Sequence, residues 1–115
     1  MTYKKFLGLI GYGYWGKNLA RDFNSLGVLS RVSDTNFEVK RKVTKLSKDI
    51  TFSADYEEIL NDETITSVAI ATPAKSHYKL VREALIAKKN VFVEKPLCLK
   101  YSDGKKLLSL SKKIK

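Results

Sequence analysis

Gly11, Gly13 and Gly16 form a G-x-G-x-x-G directly after the apolar run Phe6–Ile10 and directly before an amphipathic helical pattern. Asp34 follows eighteen residues past Gly16, at the end of a second apolar stretch. That order and spacing suit the holding of a dinucleotide. Gly11 lets the chain turn sharply out of a strand, Gly13 lets a pyrophosphate approach the backbone, and Gly16 lets a helix lie close to a sheet. The free amides near Tyr14, Trp15 and Gly16 would face the phosphates, aided by the positive end of the helix dipole. Asp34 would accept hydrogen bonds from the adenosine ribose, and its charge would repel a 2′-phosphate. Thr35 and Asn36 follow it, with no Arg directly beside the acid, so NAD is expected over NADP. Two other readings fit the same loop: a glycine-rich turn that holds no nucleotide, and the glycine-rich loop of a methyltransferase.

Such a loop works only between a strand and a helix, and the rest of the chain supplies that framework. Apolar strand patterns fall at about Lys5–Ile10, Leu29–Ser33, Ile50–Phe52, Ser67–Ala71 and Val91–Val93. Helical patterns lie between them. Trp15, Leu19 and Phe23 share one stripe, with Gly27 as a C-cap, and a second helix is expected over Phe37–Leu46. Ser53 or Asp55 could cap a short helix burying Tyr56, Ile59 and Leu60. Tyr78, Val81 and Leu85 form the stripe of a helix over Ser76–Ala87, and a last helix is expected over Ser102–Lys113. Helices between successive apolar strands require a parallel sheet with right-handed crossovers. The expected class is α/β, a doubly wound Rossmann-type sheet of order 3-2-1-4-5. Ligands bind such sheets beyond the carboxyl ends of the strands, where the order reverses. The glycine loop, Asp34, Thr72-Pro73 and Glu94-Lys95-Pro96 all fall at such ends, so four segments are expected to meet on one rim.

Bulk composition narrows the partners. The chain has 115 residues, 43% hydrophobic and 30% charged, a mix that suits one soluble domain. No apolar run approaches a bilayer span and no signal-peptide pattern precedes the first strand, so the expected setting is cytoplasmic, away from membranes. The single cysteine, Cys98, excludes an internal disulfide and a cysteine-based metal site. The net charge is +10, and half of it falls in residues 100–115, where six lysines face one aspartate. Lys40, Arg41, Lys42, Lys45 and Lys48 form a second basic stretch. Both stretches carry a helical apolar stripe (Val39, Val43, Leu46; Leu107, Leu110, Ile114) and almost no aromatics. They read as solvated helix faces rather than a nucleic-acid surface. A positive field can still concentrate an anionic nucleotide.

The chain resembles the N-terminal domain of the Gfo/Idh/MocA oxidoreductases. The residues that carry the likeness are Gly11-Tyr12-Gly13-Tyr14-Trp15-Gly16, Asp34, Ala71-Thr72-Pro73, His77-Tyr78 and Glu94-Lys95-Pro96-Leu97, spread over essentially all 115 residues. Within the family, residues 13–19, 71–78 and 91–97 look most like bacterial UDP-sugar 3-dehydrogenases, which oxidise C3 of a UDP-N-acetylglucosamine-type sugar, often its uronate. The resemblance implies that Lys95 points at the substrate hydroxyl and the nicotinamide carboxamide, polarising the reacting oxygen and helping relay its proton. It implies that Glu94 contacts the nicotinamide side of the cofactor, and that Pro96 follows a cis peptide that aims Lys95. It places Thr72, Pro73 and His77 along the cofactor channel, with Tyr14 and Trp15 flanking the dinucleotide.

Plainer roles fit single residues. A Glu-Lys pair at a strand end is often a solvated pair, a lone His at a helix start often bonds backbone, and Tyr14 and Trp15 could pack the first helix on the sheet. Family members are usually much longer, with a second α/β domain that supplies the substrate pocket, the acid/base histidine and the oligomer interface. Residues 1–115 are therefore expected to be the cofactor domain alone, binding NAD with little turnover, with oligomerisation belonging to the missing domain. A dinucleotide-binding regulatory module without catalysis is the alternative.

Overall fold

Side chains that alternate along the strands sort the core into two layers, one on each face of a parallel sheet. The computed structural model describes residues 5–93 and 101–113. Its elements run β1 (Leu7–Ile10), α1 (Tyr14–Ser25), β2 (Leu29–Ser33), α2 (Val39–Leu46), β3 (Thr51–Ser53), α3 (Glu57–Leu60), β4 (Ser67–Ile70), a 3-10 turn (Ala74–Ser76), α4 (His77–Ile86), β5 (Asn90–Val93) and α5 (Tyr101–Lys113). The strand order is β3-β2-β1-β4-β5 with every pairing parallel, as the strand–helix alternation predicts. Leu7, Leu9 and Ala69 join Ala20 of α1 and Val39 and Val43 of α2 in one cluster. Ile10, Val68 and Ile70 join Ile59 of α3, Leu80 and Val81 of α4 and Leu107 of α5 in the other. Burial on both faces explains why β1, and β4 after Ser67, carry no polar side chain.

Element boundaries moved where side chains compete for backbone. Helix α2 starts at Val39 rather than Phe37. Asp34 Oδ1 accepts the Asn36 N–H at 2.8 Å and Asn36 Oδ1 accepts the Glu38 N–H at 3.0 Å, so two successive Asx turns hold residues 34–38 out of the helix. Asp55 fixes the start of α3 in the same way, its Oδ1 accepting the Glu57 N–H at 2.9 Å. Ile59 is then fully buried, with Tyr56 and Leu60 packed beside it. The basic residues of α2 are exposed, and its apolar stripe is turned inward. Leu107 of the α5 stripe is buried, while Ile114 and the Cys98 segment lie outside the described residues. No described helix is long and apolar enough to cross a membrane.

Two helices end in the same motif with different residues. After α1, the Val28 N–H donates to the Phe23 carbonyl at 3.2 Å and the Gly27 N–H to the Asn24 carbonyl at 2.9 Å, with Gly27 at φ +76°. After α4, the Lys89 N–H donates to the Ala84 carbonyl at 3.0 Å and the Lys88 N–H to the Leu85 carbonyl at 2.9 Å, with Lys88 at φ +62°. Both are Schellman caps, but the second places a β-carbon in the left-handed region, at a cost of about 1–2 kcal/mol. Glycine relieves that cost and gives back roughly half of it through the unfolded chain. Lys88→Gly is therefore expected to raise the unfolding free energy by about 0.5–1 kcal/mol. Urea unfolding followed by circular dichroism checks it, and a lowered midpoint rejects the cap assignment.

Candidate functional site

The three loop glycines have different reasons to be glycine. Gly11 has φ +99°, and a β-carbon there would stand 2.7 Å from the Ala71 carbonyl oxygen. A β-carbon at Gly16 would stand 2.2 Å from the Gly11 carbonyl oxygen, so the first turn of α1 touches the strand exit. At Gly13 an added β-carbon meets nothing within 4 Å. The protein's own packing thus requires Gly11 and Gly16, but it leaves the space over Gly13 open. Gly13 is also the N-cap of α1 and offers no capping side chain, and no acid sits in the first turn. The first-turn amides of a twelve-residue helix therefore face that open space. Such a cradle fits a pyrophosphate in size, charge and hydrogen-bonding sense.

Asp34 closes one side of the cradle. Its Oδ2 accepts the Tyr12 N–H at 2.8 Å while Oδ1 holds the Asn36 N–H. Gly11 is tied to the same strand, its N–H donating to the Ser33 carbonyl at 2.8 Å. The Tyr12 amide is thus already spoken for by the carboxylate. Each carboxylate oxygen keeps a second lone pair, so Asp34 can still accept from a diol. Burial pushes the Tyr12 phenol above its ordinary pKa, so it brings no negative charge to the loop at neutral pH.

The β4 exit closes the other side. Ala71 N–H donates to the Ile10 carbonyl at 2.8 Å, and the Thr72 methyl would lie 3.0 Å from a β-carbon at Gly11. The Thr72 and Ser76 hydroxyls are 2.6 Å apart, and Ser76 Oγ lies 2.8 Å from the Pro73 carbonyl. That carbonyl can only accept, so Ser76 donates to it and Thr72 donates to Ser76. His77 is 2% exposed, with Nε2 2.9 Å from the Thr72 carbonyl oxygen. It braces the Thr72-Pro73 turn from beneath. Ser76 is the site-shaping residue that sequence reasoning passed over, although a serine opening a predicted helix was a legible sign.

Tyr14 and Trp15 are 74% and 57% exposed, which rules out the packing role. Trp15 also leaves the stripe expected for it, since Leu19 and Phe23 pack on the core and Trp15 does not. The first turn of α1 stands past the end of β1, where there is no sheet to cover. The two rings meet edge to face at 5.8 Å, and Lys17 Nζ lies 5.7 Å from the Tyr14 centroid. Glu94, Lys95 and Pro96 lie outside the described residues. The strand that leads to them ends at Val93, in register with Ile70 of β4. The described residues hold no group of three or more His, Cys, Asp or Glu that could take a metal. A groove of about 490 Å³ lined by Tyr78, Arg82, Lys105 and Leu107 lies between α4 and α5, and shares no residue with this rim.

Residues 6–115 match the model of an oxidoreductase family described as having an NAD-binding Rossmann fold, Gfo/Idh/MocA. The chain belongs to this family. Among its curated relatives, the uncharacterized oxidoreductase YdgJ of Escherichia coli is 31% identical over 94% of this chain and 31% of its own length. The myo-inositol 2-dehydrogenase of Thermotoga maritima is 29% identical over 93% of this chain and 33% of its own. GenD2 from gentamicin A biosynthesis, solved in complex with NAD, superposes with a TM-score of 0.83 at 25% identity, covering 99% of this chain and 33% of that one. The chain spans about a third or less of the length of the curated relatives it matches. The parallel sheet, the glycine loop and the acid at the end of β2 are thus the NAD-binding Rossmann domain of a Gfo/Idh/MocA oxidoreductase.

Proposed function

We propose that this domain binds NAD through Gly11, Gly13, Tyr14, Trp15, Gly16, Asp34, Thr72, Pro73 and His77 together with Glu94, Lys95 and Pro96, and serves the oxidation of a sugar-type hydroxyl. The observation that carries the binding is the contrast within the loop. Gly11 and Gly16 are closed in by backbone, while Gly13 faces open space under uncapped amides. Thr72 and Pro73 wall the channel, and His77 acts on it by holding the Thr72 carbonyl. When bound, the nicotinamide supplies a two-electron acceptor for a hydride from the carbinol carbon. The chain's share is to hold and orient the reactants. Lys95 polarises the hydroxyl oxygen and passes its proton on, while the C–H electron pair leaves in the other direction.

A sugar-type substrate is supported by the dehydrogenation of an inositol named for the Thermotoga relative. A UDP-sugar oxidised at C3 is supported by the resemblance of residues 13–19, 71–78 and 91–97 to enzymes with that activity. Asp34 makes NAD the preferred cofactor, as no cation directly follows it. A cytoplasmic setting accords with the lone Cys98. Calorimetry on the purified chain tests the binding. NAD is expected to bind more tightly than NADP, and S-adenosylmethionine not at all. Asp34→Ala is expected to weaken NAD about tenfold through the loss of charged hydrogen bonds, and to narrow the gap to NADP. Unchanged affinity for both dinucleotides removes Asp34 from the ribose site.

A further inference from the structure

Phe37 is 65% exposed, three residues beyond Asp34, in the turn between β2 and α2. Single exposed apolar side chains are ordinary. This one differs in being held in place. The Asx turns at Asp34 and Asn36 fix the backbone on both sides of it, and its carbonyl accepts the Lys40 N–H at 3.1 Å. Its ring meets Phe52 edge to face at 6.0 Å and 89°. Phe52 is itself packed against the core and pairs with Val32 of β2, one residue short of the strand tip that carries Asp34. A rigid aromatic ring thus stands at the carboxyl-terminal rim, next to the acid.

The Phe37 side chain is largely exposed, and a lysine stands over its ring. Lys40 Nζ lies 5.4 Å from its centroid. A solvated ammonium reaches the ring there, so a flat base can reach it too. An exposed cation–π contact is weaker than base–aromatic stacking, so a base displaces the ammonium to the rim. We propose that Phe37 is the stacking platform for the adenine of the cofactor, with Phe52 as its brace. This inference rests on the NAD-binding reading above. If Asp34 holds the ribose, the base attached to that ribose falls within reach of a side chain three residues further on, while the pyrophosphate runs the other way to Gly13.

The test compares ligands with and without adenine on the purified chain, using NAD, AMP and nicotinamide mononucleotide. Phe37→Ala is expected to weaken NAD and AMP about tenfold, the scale of one lost base–aromatic stack, and to leave nicotinamide mononucleotide unchanged. Phe37→Leu keeps apolar bulk without the π face and is expected to recover only part of the loss, whereas Phe37→Trp restores it. Equal NAD affinity in wild type and Phe37→Ala overturns the platform and leaves the NAD site standing. So does an equal loss for all three ligands, which marks a collapsed turn instead. If the wild-type chain binds no NAD, the underlying site fails and Phe37 with it.

Discussion

Gly13→Ala will leave the fold intact and cut NAD affinity about 10- to 100-fold, the equivalent of one or two charged hydrogen bonds to phosphate. Gly16→Ala, three residues away, will damage the fold itself. The difference comes from what a methyl group meets. At Gly13 it meets nothing of the protein within 4 Å, and at Gly16 it meets the Gly11 carbonyl oxygen at 2.2 Å. No rotamer relieves a backbone contact, so α1 must shift off the strand exit. Overpacking of this kind costs about 1–3 kcal/mol, and a chain of this size loses roughly 5–15 °C in melting temperature. Thermal melts without ligand and NAD titration by calorimetry give the two readouts. Gly13→Ala melting like the wild type while losing NAD is the expected pattern. Gly13→Ala binding NAD as tightly as the wild type means that no phosphate lies over that residue, and the cradle is not the pyrophosphate site.

The framework was legible because the central strands β1 and β4 carry apolar runs and because strands stop at residues that do not continue them. Gly11 ends β1, Asp34 ends β2, and Thr72-Pro73 follows β4. Those same residues form the rim, so reading where strands stop also locates the site. What stayed hidden depends on contacts between segments distant in the chain. Nothing in the spacing of Tyr12 and Asp34 says that the carboxylate takes a backbone amide 22 residues earlier. Periodicity put Trp15 on the stripe of Leu19 and Phe23, but a stripe buries a side chain only where a sheet lies beneath it. Lys88 carries no sign of a left-handed cap, because the backbone imposes that conformation on a residue that does not favour it. Phe37 read as the first turn of α2, and only the Asx turns and the Phe52 contact show it as a braced ring on the rim.

On the proposed function, Lys95, two residues past the end of β5, is the residue whose loss is expected to cost most in turnover. Val93 closes β5 in register with Ile70 of β4, and Lys95 follows two residues on. β5 thus ends level with the last residue of β4, whose exit leads to the Thr72-Pro73 turn. A cation serving there as proton relay and electrostatic partner contributes about 10²- to 10⁴-fold to rate. Lys95→Ala in the catalytically active protein is therefore expected to lower kcat by that factor, while the Kd for NAD changes less than about threefold. Lys95→Arg divides the two roles. Arginine keeps the charge but holds its proton at every accessible pH. If polarisation dominates, the arginine variant regains most of the lost rate. If proton relay dominates, it stays as slow as the alanine variant and loses the pH dependence of kcat. Equal falls in kcat and in NAD affinity recast Lys95 as a binding group alone, and an unchanged kcat in Lys95→Ala removes it from the reaction.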